Sequence, residues 1–362
     1  MPPSAPLLHS FVLGSLYPVV FVYVQKKEIM KKNNEMRQYF LKRRSLIRGL
    51  AATTIMGWAG TPQAQLLNKP ITLIVPFAAG GNLDIVARVL APALAKQLGQ
   101  SVVVQNKPGA GGVVGVTEVS RAEPDGSTLL VTTPNAITVA PKMVATQYSI
   151  ASFSSVGVIA STSLLLVAKH DNPIFKDFST FIQYARANPG KVTIANSGIG
   201  TTNHIAILQL QAETGVDLNI ITYKGSGPAN IDLLGGQVDL ILDQLSSSLT
   251  NIKAQRVRAL MVLSTKRDPL VPEVPSTKEL GLSNLDISTT AGLLAPARVP
   301  QATLNFLNKA LNEVLSDTHV QEQFLRVASI AQPGTALTFF NLLEKEDRQA
   351  AVLAAAGRLK LE

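Results

Sequence analysis

The chain of 362 residues contains no cysteine, one tryptophan, four histidines and only 5% aromatic residues. The absence of cysteine excludes disulfides, thiolate zinc sites, iron–sulfur clusters, thiol catalysis and a cysteine-linked lipid anchor. The histidines are scattered along the sequence, and G-x-S-x-G, H-E-x-x-H and P-loop motifs are all missing. We therefore predict no catalytic residues, no metal and no cofactor.

Basic charge is concentrated at the start of the chain. The formal net charge is +9, but nine Lys or Arg residues and only two acids precede Gln65, so the remaining residues carry about +2. This later part shows no run of basic residues interleaved with aromatics. We therefore expect no nucleic-acid partner.

Residues 1–64 are predicted to be a leader. An apolar stretch at residues 7–24 is followed by a second export-like pattern, with a basic segment from Met36 and a small apolar segment at residues 49–60. Arg43 and Arg44 resemble a twin-arginine signal, and the general secretory route is the alternative. Two leaders are redundant, so we expect translation to start at Met30 or Met36 and cleavage to follow Ala64. A membrane anchor in residues 7–24 is the other interpretation.

The rest of the chain predicts an α/β fold with two lobes, each a mostly parallel sheet flanked by helices. Short β-branched runs alternate with amphipathic segments over residues 71–132, and the pattern restarts over residues 192–263. The C-terminal helices are expected to return to the first lobe, which gives lobe 1 as residues 65–168 and 289–362 and lobe 2 as 169–288. We also predict two separate strands at 156–160 and 164–168, and a helix at 83–98 that Pro92 kinks or divides.

Glycine-rich turns lie between strands and helices in both predicted lobes. In the first, Gly80 and Gly81 precede a helix with Asp84 in its first turn. Unpaired N–H groups at a helix N-terminus attract anions, and glycine lets a ligand approach the backbone. A simple tight turn with Asn82 as helix cap is equally compatible. Thr133 and Asn135 follow a later strand of the same lobe.

The second lobe repeats this arrangement with hydroxyl groups. Residues 197–204 read S-G-I-G-T-T-N-H, and residues 223–225 read Y-K-G at another strand-to-helix turn. For His204 we favour a neutral hydrogen-bonding or packing role over proton transfer. Asp243 ends a strand, where it either binds a substrate donor or caps the serines at 246–248.

Seven motifs in this order resemble the Bug-type periplasmic receptors of tripartite tricarboxylate transporters. They are residues 75–88 (VPFAAGGNLDIVAR), 103–112 (VVQNKPGAGG), 124–126 (PDG), 198–204 (GIGTTNH), 223–225 (YKG), 234–240 (LGGQVDL) and 294–296 (LAP). The resemblance covers residues 69–357. It implies a two-lobed type II periplasmic-binding-protein fold that captures a small organic carboxylate in an interlobe cleft, through backbone amides, hydroxyls and water, for a membrane permease.

Motifs and resemblance together define the predicted ligand-binding set. Its members are Phe77, Ala79, Gly80, Gly81, Asp84, Thr133, Asn135, Gly198, Gly200, Thr201, Thr202, His204, Tyr223, Lys224, Gly225 and Asp243.

We accordingly expect an exported, monomeric solute receptor without catalytic activity, whose partners are an organic acid and the permease subunits of its transporter. Two alternatives remain open from the sequence. An anion-handling enzyme on the same scaffold needs a positioned acid, base or lysine, for which Lys224 is the candidate. An effector-sensing module is the other, although no helix-turn-helix accompanies the chain.

Overall fold

The computed structural model describes residues 69–355 and residue 359. All of them belong to one compact unit, residues 60–362. The predicted leader, with its candidate starts and cleavage site, lies outside the described residues.

The described chain forms one mixed sheet. Its strands are β1 (Ile71–Val75), β2 (Val102–Asn106), β3 (Thr128–Thr132), β4 (Phe153–Lys169), β5 (Thr193–Asn196), β6 (Asn219–Thr222), β7 (Leu240–Gln244), β8 (Val257–Val262), β9 (Ser288–Pro296) and β10 (Ile330–Ala331). The strand order is β2-β1-β3-β9-β4-β7-β5-β6, with β8 and β10 also pairing with β4. Strands β1, β2 and β3 are parallel, as are β5, β6 and β7, while β9 and β4 are antiparallel to their neighbours.

Strand β4 joins two halves of this sheet. Residues 153–163 pair with β9, whereas residues 164–169 pair with β7 and β8. We call residues 69–163 with 288–355 the first half, and residues 164–287 the second half. The prediction of two strands here is wrong: Ser161, Thr162 and Ser163, which lie between the two predicted strands, pair with Thr290, Thr289 and Ser288 in the ladder. Hydroxyl side chains are compatible with a sheet.

Helices cover both halves. They are α1 (Asn82–Leu98), α2 (Val113–Ser120), α3 (Asn135–Thr138), α4 (Ala140–Met143), α5 (Phe178–Ala187), α6 (Thr202–Thr214), α7 (Ser226–Gly235), α8 (Leu245–Lys253), α9 (Gln301–Ser316), α10 (Thr318–Arg326) and α11 (Ala336–Ala355). Helix α1 continues through Pro92 without division, which leaves a kink as the remaining alternative of the prediction. Its buried residues, including Leu90 and Leu94, hold it against the core on both sides of the proline.

Each half of the sheet has apolar clusters of its own. In the first half, α1, α9 and α10 pack on one side through residues such as Leu90 and Phe324, while α2 and α11 contribute Val116 and Phe339 to another cluster. The second half is packed around residues such as Phe181. The C-terminal helices α9, α10 and α11 therefore pack in the same clusters as residues of the first strands.

Candidate functional site

Four helices begin around one cavity between the two halves. Helix α1 comes from the first half, and α6, α7 and α8 come from the second. Each gives its capping or first residue to the wall: Gly81 and Asn82, Thr201 and Thr202, Gly225 and Ser226, and Gln244. The first N–H groups of a helix lack intrahelical partners, and its macrodipole places partial positive charge there. The cavity is therefore surrounded by oriented hydrogen-bond donors.

The cavity wall contains no lysine, arginine or histidine. It is lined by Phe77, Ala78, Gly81, Asn82, Leu83, Asp84, Thr133, Ser197, Thr201, Thr202, Asn203, Gly225, Ser226 and Gln244. The cavity volume is about 30 Å³. Because one water needs roughly 10–15 Å³ of cavity volume, the space holds only a few waters and its walls are nearly in contact.

Asp84 is the one ionisable residue in this lining, and it is held in place from two sides. Its Oδ2 accepts a hydrogen bond from the Gly80 N–H at 3.0 Å, and its Oδ1 accepts one from Arg88 Nε at 2.9 Å. Burial opposes ionisation, but the bonds from Arg88 and Gly80 outweigh it and lower the pKa of Asp84. The carboxylate is thus charged at neutral pH and fixes the turn that precedes α1.

A buried polar network forms the floor on the side of the second half. Gln244 Nε2 donates to Asn203 Oδ1 at 2.8 Å and to Thr289 Oγ1 at 3.2 Å. Asn203 Nδ2 donates to the Leu242 carbonyl at 2.6 Å, and Ser197 Oγ donates to Asn203 Oδ1 at 3.0 Å. Gln244 therefore links the cavity wall of the second half to β9 of the first half.

Hydrogen bonds also connect the two walls directly. The Ala78 N–H donates to the Lys224 carbonyl at 2.9 Å. Ser246 Oγ donates to Asn82 Oδ1 at 2.8 Å, and Thr202 Oγ1 donates to Asn135 Oδ1 at 2.8 Å. The walls are consequently joined by polar contacts around the cavity.

Glycines allow the two walls to approach each other at backbone distance. A Cβ atom on Gly227 would lie 2.1 Å from the Ala79 carbonyl oxygen, and one on Gly111 would lie 2.4 Å from that of Ile199. Gly225, at φ +145°, would place a Cβ 2.9 Å from the Ala78 nitrogen. These positions exclude every side chain while the walls are in contact.

The structure brings part of the predicted set to the cavity. The lining includes Phe77, Gly81, Asp84, Thr133, Thr201, Thr202 and Gly225. It does not include Ala79, Gly80, Asn135, Gly198, Gly200, His204, Tyr223, Lys224 or Asp243.

Most of the excluded residues support the turns around the cavity. The Gly80 N–H donates a hydrogen bond to Asp84, and Asn135 accepts one from the Thr202 hydroxyl. The Lys224 carbonyl accepts a hydrogen bond from the Ala78 N–H. Gly198 donates its N–H to Asn196 Oδ1 at 2.7 Å, and Gly200 donates to His204 Nδ1 at 3.2 Å.

Tyr223 and Asp243 point to partners outside the cavity. The Tyr223 hydroxyl donates to Asp232 Oδ2 at 2.7 Å. Asp243 is fully buried, which raises its pKa, and its carboxylate accepts hydrogen bonds from Asn230, Ser247 and Ser248. Asp243 thus bonds the side chains of Asn230 and of two serines of α8, and none of these bonds comes from a backbone N–H of that helix.

Sequence reasoning missed several lining residues, namely Ala78, Asn82, Leu83, Ser197, Asn203, Ser226 and Gln244. Asn82, Asn203 and Ser226 lie within the first two positions of their helices. The signal that could have identified them is the helix start itself, because each lies within or close to a predicted strand-to-helix turn. Gln244 had no comparable signal, since its role depends on partners far away in sequence.

Metal-binding clusters and membrane-spanning helices are both absent from the part of the chain that the structure describes. Residues 69–355 and 359 contain no group of three or more His, Asp or Glu side chains arranged to hold a metal ion. No helix within the same ranges is long and apolar enough to span a membrane.

The sequence of this α/β protein matches one known family. Residues 86–329 match the model of the tripartite tricarboxylate transporter family receptor. Protein BugT of Bordetella pertussis is 35% identical over 300 residues, which are 80% of this chain and 90% of BugT.

Solved structures agree with the family match. The periplasmic binding protein BugD is 33% identical with a TM-score of 0.77, covering 81% of this chain and 99% of BugD. MatC from Rhodopseudomonas palustris, solved with bound malate, is 29% identical with a TM-score of 0.75, covering 79% and 99%. This chain therefore belongs to the tripartite tricarboxylate transporter receptor family, and the resemblance drawn from the motifs is confirmed.

Proposed function

We propose that this protein captures a small organic dicarboxylate between its two halves and delivers it to the permease of a tripartite tricarboxylate transporter. The observation that carries the proposal is the convergence of four helix N-termini on a cavity whose lining contains no cationic side chain. Such donors bind carboxylates through backbone N–H groups and hydroxyls. The malate in MatC supports a dicarboxylate as the ligand class.

The size of the cavity requires the halves to separate before a ligand enters. A volume of about 30 Å³ is far below the several hundred Å³ typical of ligand pockets. We keep the two predicted lobes, residues 65–168 with 289–362 and residues 169–288, as part of this proposal; the change of pairing partner in β4 lies between Ser163 and Leu164, five residues before the predicted boundary. We propose that the motion pivots where β4 passes from β9 to β7 and β8, between Ser163 and Leu164, and at the start of β9.

Ligand capture without chemistry is the function that the contacts of the lining residues support. Asp84, the ionisable residue of the lining, is already bonded to Gly80 and Arg88, so it is poorly placed to act as a general base. Lys224, the candidate lysine of the enzyme alternative, is not among the lining residues. We therefore favour a receptor over an enzyme.

The family also supports a cellular location. We propose that residues before Gln65 direct export to the periplasm and are removed there. Mass spectrometry of the exported protein tests this: an N-terminus near Gln65 is expected, and a chain that still begins near Met1 would contradict it.

A thermal-shift screen with matched neutral analogues tests ligand capture. Malate, succinate, adipate and other diacids are compared with their diamides, which keep the carbon chain and lose the charge. At a ligand concentration 100 times its Kd, binding stabilises the folded state by about 2.7 kcal/mol. We expect at least one diacid to stabilise the protein and its diamide to have no effect. Equal stabilisation by the diamide, or turnover of an acid without stabilisation, would refute the proposal.

A further inference from the structure

The first turn of α1 differs in charge from the first turns of the other three helices at the cavity. Those of α6, α7 and α8 contain no acidic residue, whereas that of α1 contains Asp84. A helix N-terminus carries a partial positive charge of about half an elementary charge, and a carboxylate in the first turn opposes it with a full negative charge. Asp84 alone would therefore make this wall repel the anion that the proposed function assigns to the cavity.

Arg88 lies one turn further along α1 and pairs with Asp84. Its Nε and Nη2 both lie 2.9 Å from Asp84 Oδ1. Side chains of a helix lean towards its N-terminus, which is why a residue four positions later can return its charge to the first turn. The Asp84 side chain is buried and lines the cavity, whereas that of Arg88 is half-exposed and is not among the lining residues. The ion pair consequently has no net charge, and its cation stays outside the cavity lining.

A second contact fixes the Arg88 guanidinium. Its Nη2 also donates to Asn106 Oδ1 at 3.1 Å, at the end of β2. Asn106 Nδ2 in turn donates to the carbonyl of Phe77 at 3.1 Å, and Phe77 lines the cavity. The planar guanidinium is thus oriented by partners from two elements of the first half before any ligand binds.

We propose that Arg88 enables the wall formed by α1 to bind an anion, because its charge cancels that of Asp84 and leaves the N-terminus of α1 available to a ligand carboxylate. This role rests on the proposed function, since it concerns the acid that the cavity binds. Arg88 acts through Asp84 and does not contact the ligand, so it is a positioning residue. Like charges that face each other across a binding site weaken association, and Arg88 removes that repulsion.

The competing explanation is that the ion pair only holds the turn before α1 together. Loss of either partner would then disturb the turn, and loss of both would be no better than loss of one. Charge cancellation predicts the opposite result, because a protein without the Asp84 carboxylate no longer needs the Arg88 cation. A double-mutant cycle on ligand affinity distinguishes the two explanations.

The test measures diacid binding by calorimetry at neutral pH for the wild type, Arg88→Gln, Asp84→Asn and the double variant. The probe is whichever of malate, succinate and adipate gives the largest thermal shift with the wild type. We expect Arg88→Gln to raise the Kd of that diacid about tenfold or more, because the Asp84 carboxylate is then uncompensated. Asp84→Asn should bind at least as tightly as the wild type, and the double variant should bind within about threefold of it.

Two further variants control the experiment. Arg88→Lys keeps the positive charge and loses the planar fork that reaches Asn106, so its Kd should stay within about threefold of the wild-type value. Arg348→Gln is the matched control, because Arg348 pairs with Glu344 in the same i,i+4 arrangement on α11, outside the cavity lining. It should leave the Kd unchanged.

Three results would overturn the role of Arg88 alone: diacid binding by Arg88→Gln equal to that of the wild type, a double variant as weak as Arg88→Gln, or an Arg88→Lys variant as weak as Arg88→Gln. Absence of diacid binding by the wild type would overturn the proposed function as well. The two failures are therefore distinguishable.

Discussion

Gly81→Val should abolish tight binding of the acid while each half of the protein still folds. Gly81 caps α1 at φ −89° and ψ 171°, an extended conformation that valine readily adopts. A Cβ atom at this position would lie 3.5 Å from the Ser226 nitrogen and 3.6 Å from the Ser226 Cβ. Alanine therefore just fits against the opposite wall, whereas the two methyl groups of valine extend into Ser226 and the cavity.

The size of the effect follows from overpacking of the closed form. Inserting extra methyl groups into a well-packed interface costs about 1–3 kcal/mol, and each 1.4 kcal/mol changes an equilibrium constant about tenfold. The Kd of the acid should therefore rise about 5- to 150-fold from loss of closure alone. The free energy of unfolding without ligand should change little, because the halves separate to avoid the contact.

Calorimetry with the diacid that gives the largest thermal shift measures this effect, with Gly81→Ala as the matched control. Both variants lose glycine at the same helix cap, so any difference between them reports the extra methyl groups. Gly81→Ala should bind within a fewfold of the wild type. Equal affinity of Gly81→Val and wild type would show that the wall containing Gly81 does not close on the ligand.

Three other substitutions probe the charged and polar groups. Asp84→Asn should lower the free energy of unfolding by about 1–3 kcal/mol at pH 7, because Gly80 and Arg88 lose a charged acceptor. The pKa of Asp84 in the folded protein lies below the ordinary 3.8, so its ionised carboxylate stabilises the fold above pH 3.8, and this stabilisation is lost as the pH falls through the folded pKa. Urea titrations should therefore show a smaller difference in the free energy of unfolding between wild type and Asp84→Asn at pH 3 than at pH 7. Gln244→Leu should reduce stability by about 1–3 kcal/mol and weaken acid binding, and unchanged values in both assays would contradict the role of its network. Glu346 of α11 is partly buried, and its Oε2 has no hydrogen-bond partner among the described residues. Glu346→Gln should become the more stable protein as the pH rises. The folded pKa of about 7 exceeds the ordinary 4.5, so the wild type loses up to about 3 kcal/mol between these pH values and the variant does not. Melting curves of the two proteins that stay parallel from pH 5 to pH 8 would exclude an unpaired Glu346.

Much of the fold was predictable because its signals are local. Strands such as Ile71–Val75 are continuous apolar runs, and glycine turns follow them before each amphipathic helix. The same locality identified the turns at Gly81 and Thr201, both of which reach the cavity.

The remaining features depend on contacts between distant segments. Strand β4 is continuous because Thr162 pairs with Thr289. These residues are more than a hundred positions apart, so a local sequence pattern does not predict their pairing. Asp243 was placed correctly at a strand end, but the orientation of its carboxylate depends on Asn230 and Ser248. The role of Gln244 likewise requires Asn203 and Thr289 to be near it.

The contact of the walls through glycine and main-chain atoms has a consequence for how such receptors diversify. Positions such as Gly111 and Gly227 admit no side chain while the two walls are in contact, so a substitution there prevents closure. In the proposed function, the helix N-termini around the cavity bind the carboxylate groups that all candidate ligands share. Changes of ligand preference are therefore confined to the few side chains that shape the remaining space, among them Phe77, Leu83 and Thr133. Substituting these side chains while keeping the glycines therefore changes the preferred acid with the fewest mutations. This holds for duplicated genes and for laboratory libraries built for biosensors.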